Sequence, residues 1–297
     1  MTLIESLKNI DTMEYYLRNN SFESIVFEMA TIFNIEIHNL LRIPMGGYTK
    51  NKTSGSYFYC IKDLKENLDE YLELYNILED EKSKNTLLNL MRYRMTTDRK
   101  FIKNAYDKEY EQYFDKDIIK CNEDEVFVDC GAFIGDTIEK YINNYKVYKN
   151  IYGYEPETEN FIKCKRNTEK YENIRLKNVG VSNKIDTVYY KVDGGASYIS
   201  EEETETFINT VTIDEDIDEK VTFIKMDVEC EEINAIMGCE NHIKNDSPKL
   251  AIAIYHVVSD IWEIPKLIRK INGTYKLYMR HYRDDVAWET VLYAIPS

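Results

Sequence analysis

Apolar positions in the first 120 residues recur at the three- and four-residue spacing of amphipathic helices. The spacing is clearest in residues 22–33 and 64–78. Asp98 stands where it can cap a further helix. Residues 42–60 contain two successive glycines and a polar stretch, which is the composition of a loop. The pattern predicts a helical N-terminal region over residues 1–120.

From about residue 121 the pattern changes, and short apolar runs alternate with helical stretches. Seven of these runs are predicted as strands: 125–129, 151–155, 173–181, 221–227, 250–255, 275–282 and 289–295. Alternation of strands and helices indicates a mostly parallel sheet covered by helices. The last two strands follow each other directly, so they form an antiparallel hairpin. The prediction is an α/β domain over residues 121–297 with the outline of a Rossmann-like class I methyltransferase fold.

Charge and composition exclude several classes of protein. The chain has 53 acidic and 38 basic residues, a formal net charge of −15, and this balance disfavours a protein that binds nucleic-acid phosphates. No apolar run approaches the roughly 18 residues that a membrane span needs, and early charges such as Glu5 and Lys8 leave no signal-peptide core. The six cysteines contain no Cys-x-x-Cys pair and are expected to be reduced thiols. We expect a soluble, cytoplasmic protein.

The ends of the first two predicted strands carry the chemistry of a cofactor site. Ligands of open α/β sheets bind at the carboxyl ends of the strands, near the point where strand order reverses. The first strand leads into a turn over residues 129–137 that contains Gly131 and Gly135. The second ends at Glu155, 24 residues after Gly131, where a carboxylate can accept hydrogen bonds from both ribose hydroxyls.

Two cofactors compete for this turn, NAD(P) and S-adenosylmethionine. A dinucleotide site needs Gly-x-Gly-x-x-Gly, whereas this chain has Gly131-x-x-x-Gly135. Asp129 precedes the turn and Asp136 follows it, and these carboxylates would repel a pyrophosphate but attract the ammonium and sulfonium groups of S-adenosylmethionine. The charge favours S-adenosylmethionine, with an NAD(P)-dependent dehydrogenase and a turn without a ligand as alternatives.

Five segments occur in a recognisable order: Val126-Phe-Val-Asp-Cys-Gly-Ala-Phe-Ile-Gly135, Tyr154-Glu-Pro-Glu157, Asn178-Val-Gly-Val-Ser182, Ile224-Lys-Met-Asp-Val-Glu229 and Trp288-Glu-Thr-Val-Leu-Tyr293. Together they resemble the FkbM-type family of S-adenosylmethionine-dependent methyltransferases, over about residues 121–297. The loop Gly194-Gly-Ala-Ser197 also looks like that family's loop ahead of strand four. Cys230 stands in place of a glycine of the family's motif, which bears on any role that needs a positive φ there.

The strand-end argument and the resemblance together name the candidate residues that bind S-adenosylmethionine: Asp129, Cys130, Gly131, Ala132, Phe133, Gly135, Asp136, Thr137, Glu155, Pro156, Asn178, Val179, Ser197 and Asp227. The resemblance implies O-methylation of a sugar, glycan or natural-product hydroxyl. N-methylation of an amine-bearing glycan substituent or small molecule, and a non-catalytic S-adenosylmethionine-binding protein, are the alternatives.

Four residues are candidates for catalysis. Asp227 and Glu229 end the fourth strand, and their spacing of two puts both on one side if the strand continues. His256 directly follows the fifth strand and His281 lies late on the sixth, where an imidazole can act as a general base. A divalent metal held by Asp227, Glu229 and His256 is an alternative, but no ligand spacing requires it, so the prediction includes no metal.

Residues 1–120 are not needed to complete the seven strands. We therefore expect them to serve substrate recognition, with residues 42–60 as a lid or an acceptor-binding surface. A helical cap or a contact between two copies of the chain is the alternative.

Overall fold

The computed structural model describes residues 1–50, 53–193, 196–200 and 207–297. Side chains are described for these residues except within 190–206. The chain forms two compact units. The first consists of Met1–Glu109, Ile254–Lys266 and Leu277–Val291, and the second of Tyr110–Ala253, Leu267–Lys276 and Leu292–Ser297. Each unit thus contains segments from distant parts of the chain. The sequence analysis instead divided the chain once, at residue 120, into two continuous regions with different roles. This division stays a prediction.

The N-terminal part of the first unit is helical, as predicted. Its helices are α1 (Leu3–Ser6), α2 (Ile10–Asn19), α3 (Phe22–Phe33), α4 (Ile37–Leu41), α5 (Tyr57–Glu66), α6 (Leu68–Ile77), α7 (Glu81–Thr96) and α8 (Lys100–Ala105). Side-chain caps begin several of them: Ser21 accepts a hydrogen bond from Ser24 N at 3.2 Å, and Asp80 from Ser83 N at 2.7 Å. The helical pattern predicted over residues 64–78 is divided in two because Asn67 leaves helical geometry, with φ −112° and ψ 25°.

Residues 42–50 and 53–60 contain regular secondary structure where the sequence predicted a loop. They contain β1 (Pro44–Tyr48), β2 (Ser54–Ser56) and the beginning of α5, and the two strands pair antiparallel. Tyr48 N donates to the carbonyl of His256 at 2.6 Å, and Val258 N donates to the carbonyl of Tyr48 at 2.8 Å. The β1–β2 hairpin therefore fixes the main chain around His256.

The remaining strands are β3 (Val126–Cys130), β4 (Asn150–Tyr154), β5 (Ile174–Lys177), β6 (Gly180–Val181), β7 (Asp186–Asp193), β8 (Ala196–Ser200), β9 (Phe207–Val211), β10 (Phe223–Met226), β11 (Lys249–Ala253), β12 (Lys276–His281) and β13 (Thr290–Ile295). The remaining helices are α9 (Asp136–Tyr145), α10 (Thr158–Thr168), α11 (Ile213–Asp216), α12 (Glu232–Met237), α13 (Glu240–Asn245) and α14 (Asp260–Ile271). Among the described residues, no helix combines the length and apolar character that crossing a membrane requires.

A seven-stranded sheet has the order β12-β13-β11-β10-β3-β4-β5. Within this sheet, the five adjacent strands β11, β10, β3, β4 and β5 run parallel to one another. The chain runs outward from β3 to β5 and then returns to the other side of β3 with β10, so strand order reverses between β3 and β10. The predicted α/β class I methyltransferase-like fold is confirmed, and the point of reversal lies where the cofactor turn was predicted.

A further, four-stranded sheet was not predicted. Strands β6, β9, β7 and β8 form it in this order. The run predicted as one strand over residues 173–181 is in fact β5 and β6, because the chain leaves the large sheet at Asn178. The Asn178 side-chain amide donates to the carbonyls of Glu155 at 2.9 Å and Pro156 at 3.0 Å, which holds this break in place.

An aromatic cluster supports β3 and β10 in the second unit. The Phe127 ring stacks on Tyr141 of α9 at 4.6 Å and on Phe223 of β10 at 4.9 Å between centroids. Phe114 packs edge-on against the Phe127 ring at 6.4 Å. All four side chains are buried, so the two strands that flank the reversal of strand order rest on a packed base.

His281 is buried at the end of β12 in the first unit. Its Nδ1 lies 2.8 Å from the Thr290 hydroxyl and its Nε2 lies 3.1 Å from the Val286 carbonyl. The carbonyl can only accept, so Nε2 carries the proton and Nδ1 accepts from the hydroxyl. Burial lowers the pKa of His281 from 6.5 to about 4, although neighbouring main-chain carbonyls oppose the shift.

We expect this histidine to make the free energy of unfolding depend on pH. Folding lowers the pKa of His281, so protonation of this histidine favours the unfolded chain. The free energy of unfolding should therefore be highest above pH 6.5 and should fall by about 2–4 kcal/mol in total as pH decreases towards 4. Urea unfolding of wild type and His281→Gln between these pH values measures the effect, and the variant should have the flatter profile. His38→Gln, at an exposed histidine, is the matched control. Identical pH profiles for wild type and His281→Gln would contradict the assignment.

Candidate active site

The turn after β3 has a left-handed glycine at each end. Gly131 has φ +80°, and a Cβ there would lie 1.9 Å from the Asp227 carbonyl oxygen. Gly135 has φ +84°, and a Cβ there would lie 3.0 Å from Thr168 and 3.2 Å from Cys164 of α10. The first glycine thus lets the ends of β3 and β10 approach each other, and the second lets α10 approach the turn.

A buried ion pair joins the same two strand ends. Lys225 of β10 is opposite Asp129 of β3 in the parallel register, and Nζ lies 2.9 Å from Asp129 Oδ1. Nζ also donates to the Gly131 carbonyl at 2.7 Å. The exposed fractions of the lysine and aspartate side chains are 2% and 0%. A lysine buried to this degree needs such partners, and here they tie it to the glycine turn.

The acidic side chains around this pair outnumber the buried ammonium, and both effects show in the pKa values. Burial raises the pKa of Asp129 to about 6; Lys225 opposes this, while the carboxylates of Asp136 and Asp227 add to it. Burial alone would lower the pKa of Lys225, but the charges of Asp129 and Asp227 outweigh it and raise the pKa. The carboxyl end of these strands is therefore electronegative even with a buried ammonium in place.

Glu155 follows β4, the neighbour of β3, and is buried. Its Oε2 accepts a hydrogen bond from Phe133 N at 2.8 Å, and its Oε1 accepts one from Glu157 N at 2.9 Å. Burial raises the pKa of Glu155 to about 7, although these N–H donors oppose the shift. The carboxylate is thus attached to the glycine turn across the strand ends, where the sequence predicted a ribose acceptor.

The other candidate cofactor residues lie in the turn after β3, at the start of α9 and where the chain leaves β4 and β5. Cys130 and Ala132 are buried within the turn, and Phe133 is exposed with φ +48°. Asp136 and Thr137 begin α9, where Asp136 lies 3.0 Å from the ammonium of Lys140. Pro156, Asn178 and Val179 are half-buried where the chain leaves β4 and β5. The side chain of Ser197 lies outside the described residues.

Asp227 and Glu229 were predicted to lie on one side only if the strand continued through them. Strand β10 ends at Met226, so this argument does not apply. Glu229 is exposed with φ +49°, and Cys230 has φ +72°. Cysteine thus adopts the left-handed conformation that the glycine of the family's motif would favour. The buried Glu232 accepts a hydrogen bond from Val228 N at 2.9 Å and closes this tight turn.

Sequence reasoning missed three residues of the second unit: Lys225, Glu232 and Tyr113. A lysine within an apolar strand was a usable signal, because a buried ammonium requires an acidic partner. Glu232 closes the same motif that carries the resemblance. Tyr113, whose hydroxyl donates to Asp227 Oδ2 at 2.8 Å, gave no signal because it lies far from the motif in sequence.

Both candidate histidines belong to the first unit. His256 is buried, and its ring lies 4.2 Å from the Tyr255 ring. The hairpin bond from Tyr48 fixes its main chain. His281 has both ring nitrogens engaged and a pKa of about 4, so it is neutral at physiological pH and poorly placed to take up a proton.

Comparisons with known proteins agree with the fold and the motifs. The family model described as the Methyltransferase FkbM domain matches residues 129–278. The crystal structure of the methyltransferase FkbM from Methylobacillus flagellatus is 25% identical and superposes with a TM-score of 0.70, covering 83% of this chain. This chain spans 63% of that protein.

A rRNA methylase from Streptococcus thermophilus is 11% identical, with a TM-score of 0.39 over 67% of this chain and 93% of that one. No curated protein sequence matches the chain. The family model covers about half of the chain, including the glycine turn, Glu155 and Asp227. The chain therefore belongs to the FkbM methyltransferase family.

Proposed function

We propose that the protein is an S-adenosylmethionine-dependent methyltransferase that methylates a hydroxyl group of a sugar, a glycan or a natural product. Family membership and the order of the strands support a methyltransferase. The observation that carries the choice of cofactor is the electronegative edge around the glycine turn, where three carboxylates, those of Asp129, Asp136 and Asp227, lie around the Lys225 ammonium; burial raises the pKa of Asp129, and the other two carboxylates add to this. A cationic cofactor compensates this charge, whereas the pyrophosphate of NAD(P) would add to it.

The residues present fit S-adenosylmethionine. Glu155 offers a buried carboxylate that the turn already orients, and it would accept hydrogen bonds from the ribose hydroxyls. Asp136 and Asp227 supply negative charge for the ammonium and sulfonium groups. Asn178 supports the site indirectly, because its amide fixes the main chain of Glu155 and Pro156.

When bound, S-adenosylmethionine supplies an electrophilic methyl group on a positively charged sulfur. The residues of this chain contribute mainly by position, since methyl transfer is an in-line displacement that depends on alignment of the acceptor. Asp227 orients a charged or hydroxyl-bearing group at the end of β10. A hydroxyl acceptor must also lose its proton.

We assign His256 as the acceptor of this proton. It follows β11 shortly after the strand's carboxyl end, its main chain accepts the hydrogen bond from Tyr48, and its ring lies 4.2 Å from that of Tyr255. Glu229 is exposed, and His281 is already hydrogen-bonded through both nitrogens, so neither is assigned this step. We further propose that residues 1–120 select the acceptor and that nucleic acid is not a partner, consistent with the net charge of −15.

Removal of the Glu155 carboxylate should weaken cofactor binding. Glu155→Ala loses a charged acceptor of ribose hydroxyls, which corresponds to about 1–3 kcal/mol or roughly a 5- to 150-fold increase in Kd. Calorimetry with S-adenosylmethionine and NAD(H) measures this, with Glu172→Ala as an exposed control. Binding of NAD(H) without binding of S-adenosylmethionine would instead identify a dehydrogenase.

Cofactor affinity should also rise with pH. The pKa of Glu155 is raised to about 7 in the free protein, and ribose hydroxyls donate best to its ionised form. Binding should therefore strengthen as pH rises through 7 and release protons, which calorimetry in buffers of different ionisation enthalpy detects. Glu155→Gln should abolish most of this proton release. Proton uptake on binding would contradict the proposed role of Glu155.

The acceptor class can be tested by methyl transfer to matched substrates. We expect O-methylation when the protein and S-adenosylmethionine are incubated with hydroxyl-bearing sugars or polyketide-like compounds, and NMR of the product identifies the methylated atom. N-methylation of the amino-sugar analogues would favour the alternative acceptor. Tight cofactor binding without turnover on any acceptor would point to a non-catalytic binding protein.

A further inference from the structure

Tyr113 occupies an unusual backbone position in the second unit. It lies between α8 and β3, outside residues 129–278 that the family model matches. Its φ is +70°, a left-handed conformation that bulky side chains rarely adopt, and its side chain is 4% exposed. Local sequence does not favour this geometry, so the surrounding contacts must hold it.

The neighbouring Phe114 supplies one of these contacts. Its ring packs edge-on against Phe127 of β3 at 6.4 Å and Phe223 of β10 at 6.5 Å, which anchors the segment to the base of the two strands. The left-handed turn at Tyr113 then directs its side chain to the strand ends instead of into this core. The strained residue is therefore attached directly to a rigid part of the molecule.

At the strand ends, the Tyr113 side chain contacts Lys225, which lies on β10, and Asp227, which directly follows that strand. Its hydroxyl donates to Asp227 Oδ2 at 2.8 Å, and Gln112 Nε2 donates to the same hydroxyl at 3.0 Å. The ammonium of Lys225 lies 5.3 Å from the centre of the ring, within cation–π distance. The phenol thus holds Asp227 while its ring covers the buried ion pair.

We propose that Tyr113 is a positioning residue for the cofactor, acting through Asp227; this inference rests on the proposed function. A hydrogen bond donated to a carboxylate stabilises its charged form and restricts its orientation. An Asp227 carboxylate held in this way meets the cationic end of S-adenosylmethionine without first reorganising. The segment before the family domain therefore completes the cofactor site.

Tyr113→Phe tests this because it removes only the hydroxyl and keeps the ring. We expect the Kd for S-adenosylmethionine, measured by calorimetry, to rise about 3- to 10-fold. Tyr141→Phe is the matched control: it removes a buried hydroxyl that donates to the Val147 carbonyl at 2.9 Å, away from Asp227. The control should leave the Kd unchanged, and thermal unfolding of both variants monitors the fold.

A double-mutant cycle distinguishes positioning from a general structural effect. If Tyr113 acts through Asp227, then Tyr113→Phe should change the Kd less than 2-fold (about 0.4 kcal/mol) in an Asp227→Ala background, which has no side-chain acceptor for the Tyr113 hydroxyl. Independent, additive effects in the two backgrounds would overturn the inference, as would an unchanged Kd for Tyr113→Phe. These results leave the proposed function intact, whereas a wild-type protein that does not bind S-adenosylmethionine would refute the proposed function itself.

Discussion

A buried ammonium at the centre of the large sheet constrains the structure around it. Lys225 cannot be left without partners in an apolar interior, and it finds them in the Asp129 carboxylate and the Gly131 carbonyl. Loss of one partner of such a pair typically costs about 3–5 kcal/mol, because the remaining charge stays buried. The pair therefore ties β10 to β3 at the point where strand order reverses.

The rest of the candidate site follows from this connection through main-chain bonds. The Gly131 turn closes against the Asp227 carbonyl, where a side chain on Gly131 would collide. The turn then presents the N–H of Phe133 to Glu155, and Asn178 holds the main chain behind Glu155. The carboxyl edge of the sheet thus receives the glycine turn from β3, Glu155 from β4, Asn178 from β5 and Lys225 from β10, and each is held by hydrogen bonds. Such a site needs little rearrangement before it binds a ligand.

Hydrophobic periodicity and the positions of the strand ends were enough to predict the large sheet and the location of the candidate cofactor site. Alternating apolar runs located the strands of the large sheet, and the spacing from the glycine turn located Glu155. Periodicity could not find the break at Asn178, because that break depends on side-chain bonds to the chain leaving β4. It also missed Tyr113, whose left-handed backbone is held by contacts with residues about a hundred positions away.

The accumulation of carboxylates has a consequence for the stability of the protein without its cofactor. Burial and mutual repulsion raise the pKa values of Asp129 to about 6 and of Glu155 to about 7, so ionising these groups near neutral pH opposes folding. In the proposed function, a bound cation would relieve this repulsion. Because a ligand that binds only the folded state stabilises it, cofactor binding and folding would then be coupled through the same carboxylates. The electronegative edge on which the proposed choice of cofactor rests would then also link cofactor binding to the stability of the fold.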